Sequence, residues 1–385
     1  MTRTYLDYNA TAPLRPEARA AVEAALAEVG NASSVHAEGR AGRARIEAAR
    51  VEVARLVGGD PRHVTFTSGG TEANDTVLTQ DWTFGSKPQP ADVLLVGATE
   101  HPSVLAGGDF PEEAVRPIQV DRDGIVDLGA LKGLLADAEA AGKRALVSVM
   151  VANNETGAIQ PVWQVAQIAH QHGATVHADA VQAAGRIPVD IAKLGVDVLT
   201  LSAHKIGGPQ GAGAIVRASD DWTFAPLLCG GGQERRLRAG TENVAAIAGF
   251  GAAARAALAD LGKAEAWTVW RDRVASLVGP RAVVFSRDVQ RLPQTLCFAV
   301  PGLTAETLLI ALDLAGVAVS SGSACSSGKV SPSHVLAAMN VPPALAKCAI
   351  RISLGWASAA TDLESFASAW RHVLSHVAPG EIQAA

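Results

Sequence analysis

Val64-Thr65-Phe66-Thr67-Ser68-Gly69-Gly70-Thr71-Glu72-Ala73-Asn74 passes from a β-branched and aromatic run, through a glycine turn, into helix-forming residues. The run predicts a short strand over 64–67, and the turn predicts a helix opening directly behind it. Similar apolar runs predict strands at 93–97, 145–151, 174–178, 198–202 and 213–216. Helical spacing fills 16–28, 37–56, 128–141 and 162–171. Short apolar strands separated by helices point to an α/β fold with a mostly parallel sheet covered on both faces. After Gly230-Gly231-Gly232 the order changes. A long alanine-rich helix is predicted over 244–277, then strands near Val283 and at 295–300, a helix over 305–315 and a strand at 350–353. The expectation is a large domain over 16–260 and a smaller α+β domain made of 1–15 and 261–385.

Of the 385 residues, 48% are hydrophobic and 18% charged, which excludes disorder as the dominant state. A net charge of −5 argues against a nucleic-acid-binding surface over the whole chain and against electrostatic attachment to an anionic membrane. No run reaches the roughly 18 uninterrupted apolar residues of a membrane span. The opening Met1-Thr2-Arg3-Thr4-Tyr5-Leu6-Asp7-Tyr8 has no apolar signal core. Cys229, Cys297, Cys325 and Cys348 lie far apart and read as free thiols, so a cytoplasmic location is expected. Cys229, Cys297 and Cys348 sit in apolar contexts that predict burial. Cys325, in Ser320-Ser321-Gly322-Ser323-Ala324-Cys325-Ser326-Ser327-Gly328-Lys329, is expected on a loop able to travel, and is the thiol expected to react.

Lys205, in Ser202-Ala203-His204-Lys205-Ile206-Gly207-Gly208-Pro209, follows a strand and precedes a turn. A desolvated lysine favours the neutral amine, which forms a Schiff base with an aldehyde; an ordinary salt-bridged lysine is the alternative. His177 and Asp179 are two apart on a strand and share a face, and Asp179 ends it. A carboxylate there either caps a helix or pairs with a protonated pyridine nitrogen. Gln182 follows within reach of a phenolic oxygen. Gly70 and Thr71, at a helix N-terminus, offer a phosphate cradle, or are only a turn; the run matches neither the nucleotide-triphosphatase loop nor the dinucleotide fingerprint. His101 can stack on an aromatic ring, or be a satisfied core residue. Asn154 ends another strand, or belongs to a turn. Arg351, inside an apolar strand, suits a carboxylate, or a buried ion pair. Together these groups are the set that pyridoxal phosphate needs. No metal-ligand set is read, although Cys325 could serve as a transient iron–sulfur ligand.

The chain resembles the pyridoxal-phosphate-dependent cysteine desulfurases of the NifS/IscS type, within the class V aminotransferases of fold type I. The landmarks run nearly end to end: Tyr5 to Thr11, Thr67 to Asn74, Asn153 to Gly157, His177 to Gln182, Ser202 to Lys205, Gly230 to Glu234, Arg238 to Thr241, Ser320 to Cys325 and Ile350 to Gly355. The resemblance implies a seven-stranded main sheet and a catalytic loop over about 320–333. It implies that Lys205 carries the cofactor and moves the substrate Cα proton. Asp179 would meet the pyridine nitrogen, Gln182 and Asn154 the ring oxygen, and His101 the ring face, with His101 counted among the catalytic residues. Gly70, Thr71, Ser202 and His204 would bind the phosphate, and Thr241 the phosphate held by the other subunit of a homodimer. Arg351, with Asn154, would hold the carboxylate of L-cysteine. Cys325 would take the sulfur as a persulfide, leave L-alanine, and pass the sulfur to an acceptor such as an iron–sulfur scaffold protein. No direct nucleic-acid or membrane partner is implied. A selenocysteine lyase or another class V transaminase is the competing enzyme, and a non-catalytic binding paralogue the competing class.

Overall fold

The computed structural model describes residues 3–321 and 332–377. Seven strands build the main sheet: β1 (Val64–Thr67), β2 (Val93–Gly97), β3 (Val115–Ile118), β4 (Ala145–Ser148), β5 (Thr175–Asp179), β6 (Val198–Ser202) and β7 (Gly213–Arg217). Their order across the sheet is β1-β7-β6-β5-β4-β2-β3. Neighbours from β6 to β3 are parallel, and β7 alone is reversed, antiparallel to both β1 and β6. Every residue of β2, β4, β5 and β6 is buried, as expected of parallel strands covered on both faces. The strand at β3 escaped the sequence reading. Val115-Arg116-Pro117-Ile118 is half exposed and carries a proline, features of an edge strand rather than an apolar run.

The helices α1 (Pro16–Leu26) and α2 (Ala37–Leu56) pack against the helix Val244–Ala259. Small residues set the spacing: a Cβ on Gly251 would lie 2.5 Å from the Ala49 Cα. The single helix expected over 244–277 is two helices. A tight turn at Asp260–Lys263 separates Val244–Ala259 from Ala264–Leu277. Asp260 sits at this junction, accepting from Arg15 Nη1 at 2.7 Å and pairing with Lys263 Nζ at 2.8 Å, and Gly262 weakens helix continuation. The first helix buries Ile247, Phe250 and Ala254 in the main core. The second gives Val274 to a separate core with Phe298, Leu308, Phe366 and Trp370.

That second core surrounds a four-stranded antiparallel sheet in the order Val283–Val284, Thr295–Ala299, Ala349–Ser353, Ser320–Ser321. The N-terminal strand Thr4–Tyr5 runs parallel to Val317–Ala318 beside it. Leu6 is buried in the second core, while Ala12 N donates to the His204 carbonyl at 2.9 Å beyond β6. Residues 7–11 therefore cross from the second core to the carboxyl edge of the main sheet.

At that edge the first residue of β7, Gly213, lies opposite both Thr67 and Ser202. A Cβ on Gly213 would stand 2.5 Å from the Gly69 carbonyl carbon and 2.6 Å from its oxygen, whereas a Cβ on Gly69 meets nothing within 4 Å. Gly213→Ala is therefore expected to destabilise the chain by about 1–3 kcal/mol in urea unfolding, through overpacking against backbone that cannot yield. Gly69→Ala is expected to cost far less. Equal midpoints for the two variants would contradict this packing.

Candidate active site

The carboxyl ends of β1, β5 and β6 open onto a cavity of about 330 Å³. Ten of the residues singled out in the sequence line it: Gly70, Thr71, His101, Asn154, Asp179, Gln182, Ser202, His204, Lys205 and Arg351. Thr241 is exposed and does not line it, and Cys325 lies outside the described residues.

β1 ends at Thr67, and the turn that follows delivers Gly70 and Thr71 to the start of α3 (Gly70–Val77). A Cβ on Gly70 would come within 3.1 Å of Val181 Cγ2 and 3.4 Å of Ser202 Cβ, so a side chain there would fill the space an anion needs. Free N–H groups at this helix start, the Thr71 and Ser202 hydroxyls and the His204 ring form a donor set suited to a phosphate. Burial, Lys205 and Arg186 push His204 down to about 4, so at neutral pH it is an uncharged ring, with Nδ1 3.1 Å from Thr11 Oγ1.

Asp179 is buried at the end of β5. Its Oδ1 accepts from Val181 N at 2.8 Å and its Oδ2 from Asn74 Nδ2 at 3.0 Å. The turn-capping reading and the pocket reading thus both describe this residue, one oxygen serving the turn while the carboxylate lines the cavity. Asn74 also donates to Ser103 Oγ at 2.9 Å, and its Oδ1 accepts from Thr200 Oγ1 at 2.6 Å. With its proton spent on Asn74, Thr200 accepts from His177 Nε2 at 3.0 Å, which leaves His177 Nδ1 to accept from Ser148 Oγ at 2.8 Å. Burial pushes His177 down to about 3, in keeping with a neutral ring. His177 shares the face of Asp179 but serves as part of this scaffold.

His101 caps the helix Pro102–Leu105, its Nδ1 accepting from Ser103 N at 3.2 Å and lying 2.8 Å from Ser103 Oγ. Burial, helped by Lys205 and His334 and opposed by Asp179, lowers its pKa and favours a neutral ring. Lys205, half-buried in the turn after β6, donates from Nζ to the carbonyls of Asn9 at 2.7 Å and Ala10 at 2.8 Å. Gln182 donates from Nε2 to the same Asn9 carbonyl at 3.0 Å. Asn154 carries a buried Oδ1 with no partner, an acceptor left for a ligand. Arg351 pairs with Asp7 Oδ1 at 2.7 Å and donates to the Asn154 carbonyl at 3.0 Å, while its buried Nε has no partner. The ion-pair reading of Arg351 therefore holds, with guanidinium N–H groups left over in a side chain that lines the cavity.

The donor set, the unfilled space above Gly70 and the orphaned Asn154 oxygen fit pyridoxal phosphate. Sequence reasoning assigned no role to Asn9, Asn74 or Ser103. Asn9 and Asn74 stood inside quoted landmarks, and a polar residue beside a glycine turn was the available signal for Asn74. Glu100 was also missed: it is wholly buried, Oε1 accepts from Met150 N at 2.7 Å, and burial raises its carboxyl well above the usual range. The burial expected of Cys229 is not found. It is exposed, donating only to the Pro226 carbonyl at 3.4 Å, because the chain leaves the main sheet before the triple glycine and carries Leu227 and Leu228 out with it. Cys297 and Cys348 are buried, and burial pushes the Cys297 thiol up.

His177 folds as a neutral base, so between its ordinary value of 6.5 and about 3 the unfolded chain binds the extra proton. That stability is fully present above pH 6.5 and is lost as the pH falls, at up to roughly 1.4 kcal/mol per pH unit. Urea midpoints of the apoprotein between pH 7 and 4 are expected to drop less steeply in His177→Gln than in the parent. Parallel slopes would contradict the assignment.

The class-V aminotransferase family model matches residues 4–366. A cysteine desulfurase of Cereibacter sphaeroides is 42% identical over 375 residues, covering 94% of this chain and 93% of that one. A cysteine desulfurase IscS of Dictyoglomus turgidum is 40% identical over 375 residues, covering 93% and 91%. The solved structure of a NifS-like protein from Rickettsia africae superposes with a TM-score of 0.84 at 34% identity, over 97% of this chain and 99% of that one. The chain belongs to the class-V aminotransferase family and, within it, to the pyridoxal-phosphate-dependent cysteine desulfurases of the NifS/IscS type.

Proposed function

We propose that the cavity binds pyridoxal phosphate and L-cysteine, and that a cytoplasmic homodimer of this chain transfers the substrate sulfur to Cys325 and on to an acceptor protein of iron–sulfur assembly. The observation that carries the reading of the site is the meeting of Lys205, Asp179 and the Gly70–Thr71 helix start on one cavity. Gly70, Thr71, Ser202 and His204 would hold the phosphate, and Thr241, exposed on this chain, would serve the site of the second copy. Asp179 would face the pyridine nitrogen, His101 the ring, and Gln182 and Asn154 the ring oxygen. Bound pyridoxal phosphate supplies an electron sink for the pair released at the substrate Cα.

Lys205 would attach the cofactor and, once displaced by substrate, remove the Cα proton. Asn9 and Ala10 offer it two carbonyl acceptors in which an ammonium can rest. Arg351, already neutralised by Asp7, would use its remaining N–H donors on the substrate carboxylate, with Asn154 beside it. The Cys325 thiolate would then attack the substrate sulfur. The Cβ–S bond breaks, the S–S bond of a Cys325 persulfide forms, and the carbon side keeps the electron pair and takes a proton to leave as alanine. Buried free thiols at Cys297 and Cys348 suit a reducing compartment.

Sulfide and alanine released from L-cysteine with a thiol reductant should appear in equal amounts, and both should vanish in Cys325→Ala. Products that persist in that variant would point to a transaminase or lyase that needs no such thiol. Lys205→Ala should lower the rate by roughly 100-fold or more, the scale of a lost general base. Sedimentation of the holoenzyme checks the dimer, and Thr241→Val should weaken cofactor retention there without altering subunit association.

A further inference from the structure

Arg186 lies behind the cavity wall, buried, in the turn that follows β5. Its Nη1 donates to Asn9 Oδ1 at 3.0 Å, to Gln182 Oε1, and to the Gln182 carbonyl at 3.3 Å. Its Nη2 donates to the carbonyls of Tyr8 and Lys205, each at 3.1 Å. All of these acceptors are neutral, and among the described residues no carboxylate comes within ion-pair distance of it. Burial and the neighbouring Arg351 push its pKa down to about 9, which still leaves a cation at neutral pH. A buried charge surrounded only by dipoles is an expensive arrangement, and its geometry shows what it secures.

An amide side chain has two ends, and only its partners decide which end faces a ligand. Arg186 can only donate, so it takes the Gln182 oxygen and turns the NH₂ end the other way. One of those two N–H groups meets the Asn9 carbonyl. The other is left for the cavity that Gln182 lines. The same guanidinium orders Tyr8 and Asn9, the approach to the two carbonyls that receive the Lys205 amine. We propose that Arg186 is a positioning residue that presents the N–H end of Gln182 to the ring oxygen of the cofactor. This rests on the reading that Gln182 contacts that oxygen.

The fork matters as well as the charge, because Lys cannot reach five acceptors in one plane. The test is a titration of apoprotein with pyridoxal phosphate, followed by its visible band, in the parent, Arg186→Lys, Gln182→Leu and the double variant. Arg186→Lys is expected to weaken binding about tenfold and to shift the band. In the Gln182→Leu background the same change is expected to cost less than about twofold, because no amide remains to orient. An equal tenfold loss in both backgrounds would overturn the proposal and leave Arg186 a general brace. Parent-like binding by Gln182→Leu would instead sink the Gln182 reading, and the proposal with it, a pattern distinct from the first. Should Arg186→Lys fail to fold, Gln182→Glu decides: a carboxylate there satisfies Arg186 but has no N–H. Its apoprotein should melt no lower than the parent and bind the cofactor at least tenfold more weakly. Undiminished binding by that variant would also overturn the proposal.

Discussion

The site exists because strand ends from distant parts of the chain reach one edge of one sheet. Six strands of the main sheet run in one direction, and the seventh, β7, is reversed between β1 and β6. A parallel neighbour in that slot would have needed its own crossover and would have set another carboxyl end between the Gly70–Thr71 turn and Ser202. The reversed strand puts its first residue there instead. Gly213 fits against the Gly69 backbone at a separation no other residue allows. The turn carrying Gly70 and Thr71 thus lies beside Ser202 and His204, and a donor set suited to an anion comes from residues over 130 positions apart.

Charge management follows from that placement. The parallel strands are dry, so titratable groups among them are held neutral or bound into networks. His177 and His204 are both pushed well below the usual imidazole range, and Glu100 well above the usual carboxyl range. The Ser148–His177–Thr200–Asn74–Asp179 chain then fixes the carboxylate through neutral dipoles. Arg186 apart, several buried full charges are paired at the joins between elements. Arg50 grips Glu234 with two bonds at 2.7 and 2.9 Å, and Glu234 also accepts from Phe66 N in β1. Arg238 reaches Glu72 on α3 at 2.9 Å. These two ties fasten the segment ahead of Thr241 to the strand and helix that flank the Gly69–Gly70 turn. They hold Glu234, Arg235 and Arg236 in left-handed conformations that non-glycine residues seldom adopt.

Much of this was legible in the chain because it is local. A β-branched run followed by Ser-Gly-Gly-Thr states its own strand, turn and helix, and the apolar runs at β2 and β6 state their strands to the residue. Residue type also announces chemistry, as with a lysine after a strand or an acid at a strand end. Pattern misleads where the partner is remote. The alanine-rich stretch from 244 to 277 has unbroken helical character, yet a tight turn divides it where Arg15 meets Asp260. The Leu227-Leu228-Cys229 run looks like core and is exposed.

Most of the strand and helix order, the cofactor chemistry and most of the residues around the cavity are written in short-range pattern and functional-group type, while the edge strand β3 and the break at 260–263 are not. How those residues are partnered depends on the folded chain. The Lys205 amine rests on carbonyls 195 and 196 positions away, Arg351 is met by Asp7 across 344, and Arg186 reaches Asn9 across 177. Such contacts depend on how two cores and a crossing N-terminal segment close on one another, and backbone carbonyls, present at every residue, carry no signal in sequence of which one will be used.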